Sequence, residues 1–133
     1  MGNNLIDNNY SRKDNEPPLA IEKWGWRYHH IGIPTTKPIK GEIYIPHLKF
    51  FVSGFETSPF GIQWMRFDDD SPFDVLIKTV PHVAFEVDDL DFELKRCDFK
   101  ILAKPNSPAE GLRVAIVEHN GAPIELMEFK INK

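Results

Sequence analysis

Two heptapeptides, GIQWMRF (Gly61 to Phe67) in mid-chain and PIELMEF (Pro123 to Phe129) near the C-terminus, share one pattern. Each runs Ile, Gln or Glu, bulky apolar, Met, charged, Phe. A strand-like segment opens each half as well, RYHHIGIP (Arg27 to Pro34) in the first and TVPHVAFEV (Thr79 to Val87) in the second. Aligning His30 with His82 sets His-Ile-Gly-Ile against His-Val-Ala-Phe. A duplicated unit constrains the fold more than any single motif does, because neither copy can bury its apolar face alone. Gln63 then stands where Glu125 stands.

The second half reads as β-α-β-β-β. Val83, Phe85 and Val87 alternate with His82, Ala84 and Glu86, the period of a two-faced strand. Asp88 or Asp89 can N-cap the segment DLDFELKRCD, whose Leu90, Leu94 and Cys97 fall at helical spacing, and the helix should end near Asp98. FKILAK (Phe99 to Lys104) follows as a strand, PNSPAEG as a turn, and LRVAIVE (Leu112 to Glu118) pairs with PIELMEF across a tight turn at Asn120-Gly121. In the first half, His30, Gly32 and Pro34 share one face of their strand and Ile31 and Ile33 the other. GEIYI (Gly41 to Ile45) and KFFVSGF (Lys49 to Phe55) are the middle strands, and TTKPIK, with Pro38 and no helical period, implies that the first module's helix is shortened or lost. His30 and Gln63 are 33 residues apart and His82 and Glu125 are 43 apart. The difference matches one short helix. The expectation is an α+β chain of two βαβββ modules, at about residues 27–70 and 79–130, forming two similar packed sheets. Equivalent strand residues converge near the pseudo-twofold axis between them.

A chain of 133 residues is one domain by length, and 41% apolar with 27% charged residues is an ordinary globular balance. No apolar run reaches the roughly 18 to 20 residues of a membrane span. The net charge of −4, with Lys and Arg scattered, argues against a nucleic-acid footprint and favours a small-molecule or protein partner. A single cysteine, Cys97, forbids an intramolecular disulfide framework and fits a reducing compartment, so a cytoplasmic location is expected. Residues 1–22, polar and carrying Pro17 and Pro18, read as an N-terminal arm without a secretory h-region, and residues 23–133 as the domain.

His30, Gln63, His82 and Glu125 are therefore the candidate site. Two imidazoles, a carboxylate and an amide oxygen suit an octahedral divalent ion with positions left for water or substrate, whether Zn, Fe, Ni, Co or Mn. Left unpaired in a strand with apolar neighbours, each of these polar groups costs several kcal/mol. Other residues read more plainly. His29 alternates with His30 and should face away from it. His47 lies by a proline and His119 by a turn, and Trp24, Trp26 and Trp64 suit core or interface packing. Asp68 to Asp70 lack the spacing of a metal loop and read as a solvated turn. Arg66 and Arg113 are candidates to receive an anionic substrate, and Glu42, Glu56 and Glu86 to supply a second base.

The motifs HHIGIP, PHVAFEVDDL and PIELMEF resemble the strand motifs of the vicinal oxygen chelate superfamily, which includes glyoxalase I, methylmalonyl-CoA epimerase, bleomycin-binding proteins and extradiol dioxygenases. The resemblance covers Tyr28 to Phe129. It implies paired modules in a cup-shaped mixed sheet around one metal, held by His30, Gln63, His82 and Glu125. Gln at position 63 is similar to the epimerase arrangement, where glyoxalases more often have Glu. The implied function is a metal-dependent isomerase or lyase acting on a small carbonyl or carboxylate substrate through a metal-stabilised enolate. Glu125 is the ligand that can also act as base, since an amide at Gln63 cannot accept and return a proton. The resemblance leaves two alternatives: an iron-dependent dioxygenase built on His30, His82 and Glu125, or a binding protein for a drug or metabolite without turnover. It also implies a homodimer, to which Trp24 and Trp26 could contribute.

Overall fold

Alternating apolar and polar residues become strands where the pattern puts them, and the repeat becomes a symmetric sheet. The computed structural model describes residues 19–130, so most of the expected N-terminal arm lies outside the described residues. The first module contains β1 (Arg27–Pro34), β2 (Ile43–Ile45), β3 (Phe50–Ser53) and β4 (Ile62–Phe67). The second contains β5 (His82–Glu86), β6 (Lys100–Ala109), β7 (Leu112–His119) and β8 (Ala122–Phe129). Three helices accompany them, α1 (Ala20–Trp24), α2 (Val75–Thr79) and α3 (Leu90–Cys97), together with a 3-10 turn at Phe55–Thr57.

The strand order is β2-β3-β4-β1-β5-β8-β7-β6, which reads the same from the centre outward in both directions. β1 and β5 run antiparallel at the middle; β4 lies parallel to β1, and β8 parallel to β5. Register follows the same symmetry. Gly32 pairs with Gln63 and its counterpart Ala84 with Glu125, while across the centre Gly32 faces His82 and Ala84 faces His30. The α+β fold with a cup-shaped mixed sheet is as expected, and its two modules share one continuous eight-stranded sheet where the repeat alone also suggests two packed sheets. Pairing β1 with β5 satisfies backbone groups that two separate sheets would leave on open edges.

The outer face of the second module carries the main core. Trp26, Val87, Leu90, Ala115 and Leu126 are buried together, with Trp24, Phe85, Leu94 and Phe99 packed around them. At roughly 1.5–3 kcal/mol per large buried side chain, this cluster is a principal source of stability. The Asp89 side chain accepts from Phe92 N at the start of α3, and Asp98, at φ 52, closes its other end. The Trp26 indole donates to the buried Glu93 at 2.9 Å. Trp26 therefore belongs to the chain's own interior and is not available to an interface.

No helix follows β1, as Pro38 required. Two short helices escaped the sequence pattern: α1 just before β1 and α2 just before β5. Each has five residues, little more than one turn, so neither displays a period. Ile77 of α2 is buried against the cup. The turn expected over PNSPAEG is also revised. β6 continues through Pro105 and Pro108 to Ala109, and the turn shrinks to Glu110-Gly111. An edge strand tolerates proline because the missing N–H can point away from its partner, and β6 meets β7 with three shifts of register. The acidic run is a turn, as expected, with Asp68 accepting from the Tyr44 hydroxyl at 2.7 Å and Asp70 paired with Lys49 at 2.6 Å. Among the described residues no helix is long and apolar enough to cross a membrane.

Candidate metal centre

The two strands at the centre of the sheet carry the histidines, and the two strands flanking them carry the amide and the carboxylate. All eight strands contribute side chains to the cavity of about 210 Å³ on the concave face, and His30, Gln63, His82 and Glu125 line it together. His30 and His82 are buried, at 1% and 3% exposure, with ring centroids 5.5 Å apart. Glu125 Oε1 lies 2.8 Å from His82 Nε2 and 3.3 Å from His30 Nε2, so a single oxygen stands between both imidazoles. Donor atoms of His30, His82 and Glu125 all fall within 4.8 Å of one another. His30 Nε2 and His82 Nδ1 are nevertheless buried without a hydrogen-bond partner among the described residues.

Burial by itself pushes the Glu125 carboxyl pKa up. Contact with the His30 and His82 rings, and their positive charge, outweighs that and brings it from the ordinary 4.5 to about 2. The carboxylate is thereby held as an anion, the form that pairs with a cation or ligates a metal.

His29 departs from the expectation that it would face away from the site. Between Tyr28 and His30 the register of β1 against β5 shifts, so that His29 is the extra residue of a β-bulge. A bulge breaks strict alternation and re-aims a side chain. His29 Nδ1 comes to 2.8 Å from His30 Nδ1, and its ring stacks on Phe55 at 4.7 Å and 7°. Burial, and then the nearby His30, lower the His29 pKa, which favours the neutral, accepting ring. With His30 Nδ1 turned to His29, Nε2 is the nitrogen that His30 presents beside Glu125. No periodicity in the sequence signals this contact; only the adjacent pair His29-His30 hinted at it.

Gly32 has a specific reason to be glycine. A Cβ there would fall 2.1 Å from His82 Cε1 and 2.6 Å from Nε2, so the His82 ring occupies the space a side chain would need. The counterpart Ala84 is fully buried and does carry that methyl, so the two imidazoles cannot be disposed identically.

No protein-family model matches the sequence, nor does any curated protein. Solved structures do match by shape. A hypothetical protein from Bacillus halodurans C-125 superposes with a TM-score of 0.61 at 19% identity, over 81% of this chain and 97% of its own. Methylmalonyl-CoA epimerase from Mycobacterium tuberculosis superposes with a TM-score of 0.56, also at 19% identity, over 79% of this chain and 89% of its own. The chain has the vicinal oxygen chelate fold. The concave face of the curled sheet holds the four residues that the repeat singles out.

The remaining candidates lie elsewhere. Arg66 is paired with Glu42 and lies over the Phe51 ring, and Arg113 is paired with Asp91 and Glu128. Neither lines the cavity, and nor do Glu42, Glu56 or Glu86, the last of which pairs with Arg27 at 3.3 Å. Trp64 and Glu56 line a neighbouring hollow beside the 3-10 turn, which shares Val52 and Gln63 with the cavity. His47 meets the Ser107 carbonyl at 2.9 Å, and His119 sits edge-on to Phe99.

Gly32→Ala is expected to displace the His82 ring and cost about 1–3 kcal/mol, the usual penalty for overpacking, in chemical denaturation. Ala84→Gly, which loses one buried methyl and adds backbone entropy, should cost about 1–2 kcal/mol and leave the His82 ring in place. An unmoved His82 ring NMR signal in Gly32→Ala would show that the close approach at Gly32 is not real. In the metal-free protein, carboxyl carbon NMR should place the Glu125 midpoint near 2. Because the pKa is depressed on folding, the stabilisation is complete above 4.5 and is lost as pH falls towards 2. A midpoint at 4.5 or higher would mean that the imidazoles do not hold the carboxylate.

Proposed function

We propose that the chain is a metal-dependent isomerase or lyase whose divalent ion is held by His30, Gln63, His82 and Glu125. The observation that carries this reading is the convergence of His30 Nε2 and His82 Nε2 on one oxygen of Glu125, with His30 Nε2 buried there without a hydrogen bond among the described residues. Two donors at right angles, each about 2.1 Å from one ion, stand about 3.0 Å apart. The 2.8 Å and 3.3 Å contacts have that spacing already. Gln63 lines the same cavity and adds a neutral oxygen, so one anionic ligand leaves a divalent ion with a formal charge of about +1. When bound, such an ion supplies electrophilic stabilisation of negative charge developing on a substrate oxygen.

The chain's own residues set the rest. Beyond the four polar residues the walls of the cavity are apolar, and His30 and His82 are positioned by the central strand pair. Glu125 is the only carboxylate lining the cavity among the described residues, so proton transfer falls to it. Gln63, as an amide, orients without exchanging protons. A one-base isomerisation or elimination fits this set better than a symmetrical two-base exchange. The missing second base also supports a second reading, a small-molecule binding protein without turnover.

Elemental analysis of protein purified without chelator should find one divalent metal per chain, and His82→Ala should lose it. Gln63→Leu should weaken binding by about tenfold or more, whereas Gln63→Glu should keep the metal. No stoichiometric metal, or equal content in His82→Ala, sinks the proposal. His29→Phe, which keeps a ring to stack on Phe55 but removes the acceptor for His30 Nδ1–H, should lower metal affinity about 10–100-fold with little change in fold. His29→Gln should restore part of it by supplying an acceptor again. Unaltered affinity in His29→Phe would reduce the bulge to a structural feature.

A further inference from the structure

Among the described residues, those lining the central cavity are all apolar apart from His30, Gln63, His82 and Glu125, with no Lys, Arg, Ser, Thr or Asn side chain. One end is aromatic. Phe50 and Phe67 stack at 5.3 Å and 16°, and Phe73 stands edge-on to both at 5.5 Å and 5.7 Å. The other end is formed by Leu112, Val114, Ile116 and Met127. The arginines the sequence offered as anion receivers are engaged outside, Arg66 with Glu42 and Arg113 with Asp91 and Glu128.

A small apolar cavity of about 150 Å³ accommodates a benzene ring. The volume of about 210 Å³ here therefore admits a ring or branched chain of that size together with a few further heavy atoms. The polar groups lie on the central strands and their immediate neighbours, between these two apolar ends, so a ligand can be polar at one position only. A second carboxylate or a phosphate inside these walls would be desolvated with no donor to meet it.

We propose that this site selects a small molecule with a single oxygen-bearing head, directed at the His30, Gln63, His82 and Glu125 patch, and an uncharged apolar body filling the rest of the cavity. For the head, the inference rests on the metal reading above. For the body, it rests on the cavity walls alone.

Four 2-oxo acids share one chelating head and differ only in the tail, so calorimetric titration of the metal-loaded protein with them isolates the body. Phenylpyruvate and 4-methyl-2-oxopentanoate should bind at least about tenfold more tightly than oxaloacetate and 2-oxoglutarate, the scale of discrimination by an apolar pocket. Equal affinities, a preference for the dicarboxylates, or binding of none of the four overturns the proposal. Toluene added to the metal-free protein should shift the methyl NMR signals of Met65 and Met127, both of which line the cavity. If the protein takes up no metal, the toluene titration decides the matter separately. Shifts at both methyls leave the apolar selection standing while the metal reading falls, and no shift at either overturns it.

Discussion

The antiparallel pairing of β1 with β5 fixes everything else in the site. Its register sets Gly32 opposite His82 and His30 opposite Ala84, so the two histidines sit two rungs apart on one face at the middle of the sheet. Because β4 and β8 then lie parallel on either side in matching registers, Gln63 and Glu125 arrive next to them without any further device. A slip of one residue in the central pair would turn both histidines to the outer face. The cup, the cavity and the donor set are in this sense consequences of one ladder of hydrogen bonds.

The symmetry is used and then broken. Gly32 admits the His82 ring where Ala84 would refuse one, the amide at 63 faces a carboxylate at 125, and only the second module keeps its helix. Two carboxylates at the equivalent positions would have repelled each other and raised one pKa. A single carboxylate between two imidazoles instead stays anionic down to about 2. The loss of the first helix shifts the apolar core towards the second module, where α3 and Trp26 cover the outer face.

Strong periodic signals were legible in the sequence, and local exceptions were not. The alternation in HVAFE, the Asp89 cap and the pairing of GIQWMRF with PIELMEF led directly to β5, α3 and the four residues on one cavity. His29 was misplaced because alternation assumes a regular strand, and a bulge is specified by the partner strand as much as by its own residues. Pro105 and Pro108 suggested a turn because proline opposes a central strand, but β6 is an edge. One continuous sheet, as opposed to two packed sheets, depends on whether β1 and β5 pair with each other. That is a non-local choice with no local pattern to announce it.

The cavity's composition also bears on how strongly its few polar groups act. A carboxylate and two imidazoles in water are screened, whereas apolar walls lower the local dielectric and strengthen each contact among them. The same walls make any unmatched charge costly, which is why His30, His82 and Glu125, gathered on one buried oxygen, carry more weight than an exposed cluster of the same residues would. Discrimination and reactivity then share one cause. Whatever enters must cover the apolar wall to keep water out, and only a molecule that does so meets the donor set at its full electrostatic strength.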